Sequence, residues 1–92
     1  MIRSFKCAET AKIFRRTGSK RYRPIQKIAL RKLLLIEGAE RLDDMRVPPG
    51  NRLEKLTGDR SGLHSIRINA QWRICFRWEG DSAWDVEIVD YH

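Results

Sequence analysis

The clearest pattern in the chain is an apolar stripe between Pro24 and Gly38. Hydrophobic residues recur there every three or four positions, the spacing that places side chains on one face of an α-helix. They are Ile25, Ile28, Ala29, Leu33 and Ile36, widened by Leu30 and Leu34. Proline suits the first turn of a helix and glycine its end. The pattern predicts a helix whose leucine-rich face packs in the core; the alternative is a groove for a partner.

Weaker patterns precede this helix. Alternation over 1–6 predicts a short first strand. Apolar residues sharing one face over 9–16 predict a shorter helix, with Gly18 placed to end it. Residues 19–23 then form a basic connector between the two helices.

The chain changes character after Ala39. The two prolines within 47–51 remove backbone donors, which excludes a helix or a central strand and predicts a rigid loop. Short apolar runs separated by turn residues then predict strands over 52–56, 63–68, 72–78 and 84–91. The predicted fold class is α+β: two N-terminal helices packed on a small, mainly antiparallel β-sheet, in the order β-α-α-β-β-β(-β). A chain of 92 residues is expected to form a single domain, 1–92.

Strand alternation fixes the register of the predicted sheet. For the apolar residues of two strands to face the helices together, Ile68 must lie opposite Trp72. The same register places Arg67 directly opposite Arg73 on the outer face. Two arginines paired in this way repel each other, so they either clamp a phosphate or extend separately into water.

The following hairpin extends the outer face. If Trp78 lies opposite Trp84, then Arg77 faces Asp85 and Arg73 faces Val89.

The charge favours a polyanionic partner. The chain has 19 Lys and Arg against 12 Asp and Glu, a formal net charge of +7 and a pI near 10. Two alternatives stay open from charge alone: a basic surface without a nucleic-acid role, and an acidic protein partner.

Cysteine and histidine positions give no metal-site pattern. Cys7 and Cys75 are far apart in sequence and make no ligand spacing with His64 or His92. We interpret the cysteines as packing residues or free thiols and expect no cofactor and no metal. The N-terminus lacks an apolar signal region, and no run approaches the ~18 apolar residues of a membrane span, so a reducing cytoplasm without membrane attachment is expected.

Candidate chemistry lies at the end of the chain. Asp90, Tyr91 and His92 follow a strand-like run, and histidine exchanges protons near neutral pH. Strand parity places Tyr91 on the outer face with Arg73, whereas Asp90 and His92 alternate away from it. Acid–base groups beside an arginine suited to phosphate suggest cleavage of nucleic acid.

Four further polar residues are candidates for the same site. Glu54 is either a general base or a group that neutralises the arginines. Lys55 and Arg60 either hold backbone phosphates or are solvated. By strand alternation, His64 should face the helices together with Ile66, and it is interpreted as a partly buried polar group.

Several motifs together resemble HigB-type toxins of the RelE/ParE superfamily of bacterial toxin–antitoxin systems. The resemblance covers the whole length and is strongest from Leu42 onward. The motifs are Pro-Pro-Gly-Asn-Arg-Leu-Glu at 48–54, Gly-Asp-Arg at 58–60, Ser-Ile-Arg-Ile-Asn at 65–69, Gln-Trp-Arg-Ile at 71–74 and Val-Asp-Tyr-His at 89–92.

The resemblance implies an endoribonuclease of the mRNA interferase type. Such toxins enter the ribosomal A site and cut the message without a metal, by attack of a 2′-hydroxyl on the adjacent phosphorus. The implied partners are the ribosome, mRNA and a HigA-type helix-turn-helix antitoxin. The resemblance implies contact with DNA only indirectly, through the antitoxin.

The resemblance also implies residue roles. Asp90, Tyr91 and His92 match the functional end of the family, and Arg73 matches its strand arginine. Arg73, with Arg67, is expected to stabilise charge on the phosphate. His92 is expected to carry a proton, with Asp90 orienting its ring or accepting the hydroxyl proton, and Tyr91 holding or stacking on the substrate.

One position departs from the family pattern. Some members have a histidine where this chain has Glu54, which implies either a carboxylate base or slower chemistry. Two rival functions stay open: a gyrase-poisoning relative with the same fold, and a non-catalytic basic module that binds nucleic acid.

Overall fold

Two helices lie against one face of a four-stranded antiparallel sheet in a computed structural model of the chain. The structure describes residues 1–57 and 62–90. The helices are α1 (Ala8–Phe14) and α2 (Gln26–Gly38), and the strands are β1 (Glu54–Lys55), β2 (Leu63–Arg67), β3 (Trp72–Glu79) and β4 (Ser82–Asp90). The strand order is β1-β2-β3-β4, every neighbouring pair being antiparallel. The α+β prediction is confirmed.

The predicted apolar stripe forms the core face of α2. Ala29, Leu33 and Ile36 are fully buried, and each large side chain buried in this way contributes roughly 1.5–3 kcal/mol of hydrophobic free energy. The predicted buried face included two residues too many, because Ile28 and Leu34 are 38% and 42% exposed. Only one side of α2 packs on the sheet, so the outer positions of a wide stripe remain in solvent.

The second helix ends at Gly38 as predicted, but its start and the end of the first helix differ slightly from the prediction. Pro24 lies in a short 3-10 turn, Arg23–Ile25, and the α-helix begins only at Gln26. The first helix ends at Phe14 because Arg16 already adopts a left-handed φ of 61°, before Gly18 at 85°.

The N-terminal segment pairs with β4 in parallel. It forms two isolated bridges, Ile2 with Ala83 and Phe5 with Val86, in place of the predicted continuous strand. The amide of Arg3 donates to the carbonyl of Ala83 at 2.7 Å. This segment is the parallel component of an otherwise antiparallel arrangement.

The register of β2 and β3 is the predicted one. Ile66 lies opposite Ile74, and Arg67 lies opposite Arg73. Ile66, Ile74 and Phe76 have no exposed surface and meet the buried face of α2 in a single core cluster. The edge-to-face contact of Tyr22 with Trp72, at 5.4 Å between ring centroids, closes one end of this core.

The register predicted for the second hairpin is wrong at its turn end. Trp78 pairs with Ala83 and Arg77 with Trp84, while Arg73 still pairs with Val89. A β-bulge between the pairings of Cys75 and Arg77 gives β4 an extra residue, and Asp85 there adopts a left-handed φ of 54°. The expected charge pair nevertheless forms, with Arg77 Nε 3.5 Å from Asp85 Oδ2.

The predicted rigid loop is built around a buried asparagine. A 3-10 turn, Pro49–Asn51, follows the cis peptide bond between Val47 and Pro48. Asn51 has no exposed surface, and its Nδ2 donates to the carbonyls of Met45 and Val47 at 3.1 and 3.2 Å.

The remaining sequence expectations concern single residues. Both cysteines are free thiols, Cys7 half-buried and Cys75 buried. His64 is half-buried, as predicted, with its ring 6.1 Å from that of Phe76. Among the described residues, neither helix combines the length and apolar character that crossing a bilayer requires.

Candidate functional site

Arg73 is the centre of the candidate site, and it is buried. The sequence predicted an arginine extended into solvent from the outer face of the sheet, but only 6% of this residue is exposed. Its Nε donates to Ser65 Oγ at 2.8 Å, and its Nη2 donates to the carbonyls of Ser65, at 3.3 Å, and of Arg52. The guanidinium is therefore held along the sheet by fixed acceptors, which corrects the prediction that two free arginines repel each other across the ladder.

The local sequence explains how an arginine is accommodated there. Ser65 lies opposite Cys75, so two small side chains leave room beside Arg73 on the outer face. The guanidinium occupies this space and passes diagonally over β2. Because guanidinium donors are fixed in a plane, several acceptors in one place set its orientation as well as its position.

The acceptor at Arg52 is positioned by the loop before β1. Arg52 has a left-handed φ of 44° and follows the 3-10 turn that Asn51 anchors in the protein interior. Lys32 of α2 donates from Nζ to Asn51 Oδ1, which links the loop to the second helix. The Pro-Pro-Gly-Asn-Arg stretch of the sequence thus has a physical role: it presents one carbonyl to Arg73.

Glu54 completes the arrangement on the solvent side. It pairs with Ser65 across β1 and β2, and its exposed carboxylate lies with Oε2 3.9 Å from Arg73 Nη2. That separation is longer than a hydrogen bond, so the carboxylate remains available to a ligand. The structure thereby brings together two of the predicted catalytic residues, Arg73 and Glu54.

The predicted RNA-binding residues divide between the two faces. Arg67, half-buried, lies directly opposite Arg73 and shares its face. Lys55 lies opposite His64. Strand alternation places both side chains on the face of the sheet that packs on the helices, so Lys55 points away from Arg73. Arg60 lies outside the described residues.

His64 is not suited to carry a proton at this site. Burial lowers its pKa below the usual value, and the positive charge of Lys55 lowers it further. The imidazole is therefore neutral at pH 7, and it packs on Phe76, on the opposite face of the sheet from Arg73.

Asp90 lies at the end of β4, opposite Trp72. Strand alternation places it on the opposite face of the sheet from Arg73. Its exposed carboxylate accepts a hydrogen bond from Gln71 Nε2 at 3.2 Å. Asn69 Oδ1 in turn accepts from the amides of Gln71 and Trp72 at 2.9 and 2.8 Å, which fixes the turn. Tyr91 and His92, which follow, lie outside the described residues.

Sequence reasoning missed Ser65, the Arg52 carbonyl and Gln71. The predicted register could have identified Ser65. It lies two residues before Arg67 on the same outer face, and therefore beside Arg73. A backbone carbonyl carries no sequence signal of its own. Among the described residues, no group of three or more His, Cys, Asp or Glu side chains is placed to hold a metal ion.

Comparison with known proteins places this geometry in a family context. The family model described as RelE-like toxin of type II toxin-antitoxin system HigB matches residues 4–92. Toxin HigB-1 of Vibrio cholerae is 44% identical over 54 residues, which are 59% of this chain and 57% of that protein. Endoribonuclease HigB of Proteus vulgaris is 42% identical over 41 residues, 45% of each chain.

Two further similarities extend over more of the chain. An uncharacterized protein of Haemophilus influenzae is 37% identical over 67 residues, 73% of this chain and 66% of that protein. The matched region thus spans between about half and two thirds of these curated relatives. The crystal structure of YafQ from Escherichia coli superposes with a TM-score of 0.60 at 11% identity, covering 98% of this chain and 91% of that one, which shows a shared fold.

Proposed function

Because the chain belongs to the HigB-like family of RelE-like toxins of type II toxin–antitoxin systems, we propose that it is a toxin that cuts messenger RNA. The observation that carries the proposal is the guanidinium of Arg73, held by Ser65 and Arg52 beside the exposed carboxylate of Glu54. A cation fixed before substrate arrives stabilises charge that develops on a phosphate. The name of the Proteus vulgaris relative, Endoribonuclease HigB, supports the same reaction.

The proposed reaction is transfer of the phosphoryl group to the neighbouring ribose oxygen. The 2′-oxygen bonds to phosphorus and loses its proton, the bond to the 5′-oxygen breaks, and that oxygen takes up a proton. The products are a 2′,3′-cyclic phosphate and a 5′-hydroxyl. The nucleophile belongs to the substrate, so the protein supplies a base, an acid and compensation for negative charge.

Each proposed role rests on a named group. Arg73, with Arg67 beside it, compensates the charge on the phosphate oxygens. Glu54, whose Oε2 lies 3.9 Å from Arg73 Nη2, is proposed to accept a proton from the substrate. His92 is proposed as the second proton carrier, Asp90 as the carboxylate that orients it and Tyr91 as a surface on which a base stacks.

The proposed partners and setting follow from the family. The toxin acts on translating ribosomes in the cytoplasm, as one domain comprising 1–92, and a cognate HigA-type helix-turn-helix antitoxin neutralises it. Arg60 and Lys55 are proposed to contact the RNA backbone at the periphery of the site.

The test is to add the purified protein to a translating extract and map the ends of the message. We expect new ends with 2′,3′-cyclic phosphates inside coding sequence, which disappear when translation is blocked before ribosomes assemble. An intact message combined with inhibited DNA supercoiling by gyrase would instead identify a gyrase poison. An intact message with RNA binding alone would identify a non-catalytic module.

A further inference from the structure

The positive charge of the chain is concentrated away from Arg73. Between Thr10 and Ile36 there are nine Lys and Arg residues and no Asp or Glu. The remaining ten Lys and Arg residues are outnumbered by all 12 Asp and Glu residues. The net charge of +7 therefore arises entirely in α1, the connector and α2, whereas the rest of the chain is slightly acidic.

In the described part of the chain, most of these nine cations also lie away from any carboxylate. Within residues 1–57 and 62–90, only Lys12 of the nine lies within 4 Å of a carboxylate, that of Glu9 at 2.8 Å. Outside this segment, Lys6, Arg46, Arg73 and Arg77 each lie beside a carboxylate. A cluster of like charges raises the free energy of the isolated fold, so its compensation must come from an anion outside the chain.

The geometry gathers part of this charge around a groove. Two adjoining clefts, of about 470 and about 350 Å³, lie at the α1–α2 connector and share Thr17, Gly18 and Gln26 in their walls. We call them together the connector groove. The cations in its walls are Lys12, Arg16, Lys20 and Arg23.

The connector groove is held in shape before any ligand arrives. Left-handed φ values at Arg16 and Gly18 turn the chain between the helices. The Thr17 amide donates to the carbonyl of Lys12 at 3.0 Å, and the Ser19 amide donates to Gln26 Oε1 at 2.8 Å. A preformed site avoids the entropy of ordering a loop on binding.

The single carboxylate in the groove is already committed. Glu9 pairs with Lys12 and accepts from Ser19 Oγ at 2.8 Å, contacts that lower its pKa and keep it ionised. It therefore neutralises Lys12 and leaves Arg16, Lys20 and Arg23, all exposed, to an external anion.

We propose that the connector groove binds the phosphate backbone of RNA, as a docking site separate from the Arg73 site. A polyanion matches the three exposed cations of the groove, although Ile13 and Leu30 also line one of its clefts. A protein partner would need exposed apolar surface at the centre of its interface. The large apolar side chains exposed in the described part of the chain are Met1, Ile28, Leu34 and Val47, and none of them lines the groove. The docking site does not depend on the cleavage chemistry.

The test compares two triple variants of equal charge. Arg16→Gln, Lys20→Gln and Arg23→Gln removes three charges from the groove. Arg3→Gln, Lys6→Gln and Arg46→Gln removes three from exposed residues elsewhere. Affinity for a single-stranded oligouridylate is measured over a series of salt concentrations, with thermal unfolding showing that both variants are folded.

The groove variant should lose about two units of the slope of log affinity against log salt, since each contact to single-stranded RNA contributes about 0.7. The control variant should keep the slope of the wild type. A third variant, Arg16→Lys with Arg23→Lys, should also keep it, because the charge is conserved. Equal losses in the groove and control variants would show that net charge alone drives binding and would overturn the proposal.

Two further measurements identify the ligand and separate this proposal from the proposed function. Polyglutamate that displaces the RNA at equal charge concentration would indicate an acidic protein partner and overturn the assignment to RNA. Arg73→Ala should lower cleavage by about 10²–10³ and reduce the salt slope by no more than about 0.7, the contribution of one phosphate contact. If the wild-type protein cuts no message, the proposed function fails, but the slopes still decide whether the connector groove binds RNA.

Discussion

The connector groove and the Arg73 site use the same chemical group in opposite ways. At the groove, the exposed cations Arg16, Lys20 and Arg23 surround a cleft whose one lining carboxylate is paired with Lys12. At the Arg73 site, one guanidinium is buried and fixed by Ser65 and Arg52. The summed field of several exposed cations speeds encounter with a polyanion and weakens as salt rises, whereas a fixed, desolvated charge interacts most strongly with a group that contacts it. Binding and chemistry are thus assigned to separate arginines.

The two regions also differ in what a lost cation costs the fold. An exposed cation contributes from nothing to about 1 kcal/mol, and within a like-charged cluster its removal relieves repulsion. A buried guanidinium is coupled to its acceptors, and leaving them unsatisfied costs about 1–3 kcal/mol for each group. Stability measurements therefore discriminate between the regions as well as activity does.

The largest expected effect lies at the end of the chain. His92→Gln should reduce message cleavage by about 10²–10⁴, the usual contribution of a proton carrier. Deleting Tyr91 and His92 should do the same and remove growth inhibition, while antitoxin binding persists. The deletion leaves the core residues Ile66, Ile74, Phe76, Val86 and Ile88 in place, so unfolding free energy should fall by only about 1 kcal/mol.

Cleavage assays and denaturant unfolding on the same preparations provide the measurement. A fully toxic, fully cleaving His92→Gln protein would remove His92 from the mechanism and leave Glu54 and Asp90 as the residues to test. It would also place all of the chemistry on the residues around Arg73.

The second prediction tests the contrast between buried and exposed arginines. Arg73→Ala should lower cleavage by about 10²–10³, because a preorganised donor is lost. It should also destabilise the fold by about 1–3 kcal/mol for each acceptor left unsatisfied, because Ser65 and the Arg52 carbonyl lose their partner. Arg67→Ala, on the neighbouring strand, is the control and should cost less stability, since Arg67 is only half-buried.

Full stability in the Arg73→Ala protein would contradict the tethered guanidinium. It would show that Arg73 behaves like the exposed cations of the connector groove, so that the two regions would not differ in what a lost cation costs the fold.

The third prediction concerns the carboxylate beside Arg73. Glu54→Gln should reduce cleavage by about 10², near the lower end of general-base effects, and change stability by less than about 1 kcal/mol because the side chain is exposed. Glu54→His, the residue that some family members carry, should restore activity. Glu79→Gln is the matched control, an exposed glutamate paired with an arginine away from the site. Unchanged cleavage by Glu54→Gln would limit Glu54 to neutralising Arg73.

The sequence predicted the fold better than the site. Periodicity in α2 and alternation in β2 and β3 identified the core residues and placed Arg67 opposite Arg73, because each pattern directly reflects burial. The bulge at Asp85 was missed, since a single inserted residue leaves alternation intact on either side.

The burial of Arg73 was missed for a different reason. It depends on a diagonal contact with Ser65 and on a carbonyl from a loop twenty-one residues away, which neither periodicity nor composition encodes. Net charge likewise predicted a polyanionic partner without showing that the excess positive charge lies in the two helices and the connector between them.

The smallest expected effect is the sharpest test of how Arg73 is held. Ser65→Ala removes the Oγ that accepts from Arg73 Nε, and leaves that buried donor without this partner. Unfolding free energy should fall by about 1–3 kcal/mol. Cleavage should fall about tenfold, corresponding to roughly 1.4 kcal/mol of transition-state stabilisation, because the two carbonyl contacts still hold Nη2 approximately in place.

Ser82→Ala is the matched control for this variant. Ser82 is also buried and accepts from an arginine, Arg3, at 3.2 Å, but it lies at the far end of β4. It should lose less stability, because water can replace Ser82 at the exposed Arg3, and it should keep full activity. If both serine variants lose activity in proportion to their stability, Ser65 contributes only to folding. If only Ser65→Ala loses activity, and its RNA affinity and salt slope match those of the wild type, then orientation of one buried guanidinium limits the chemistry independently of RNA binding.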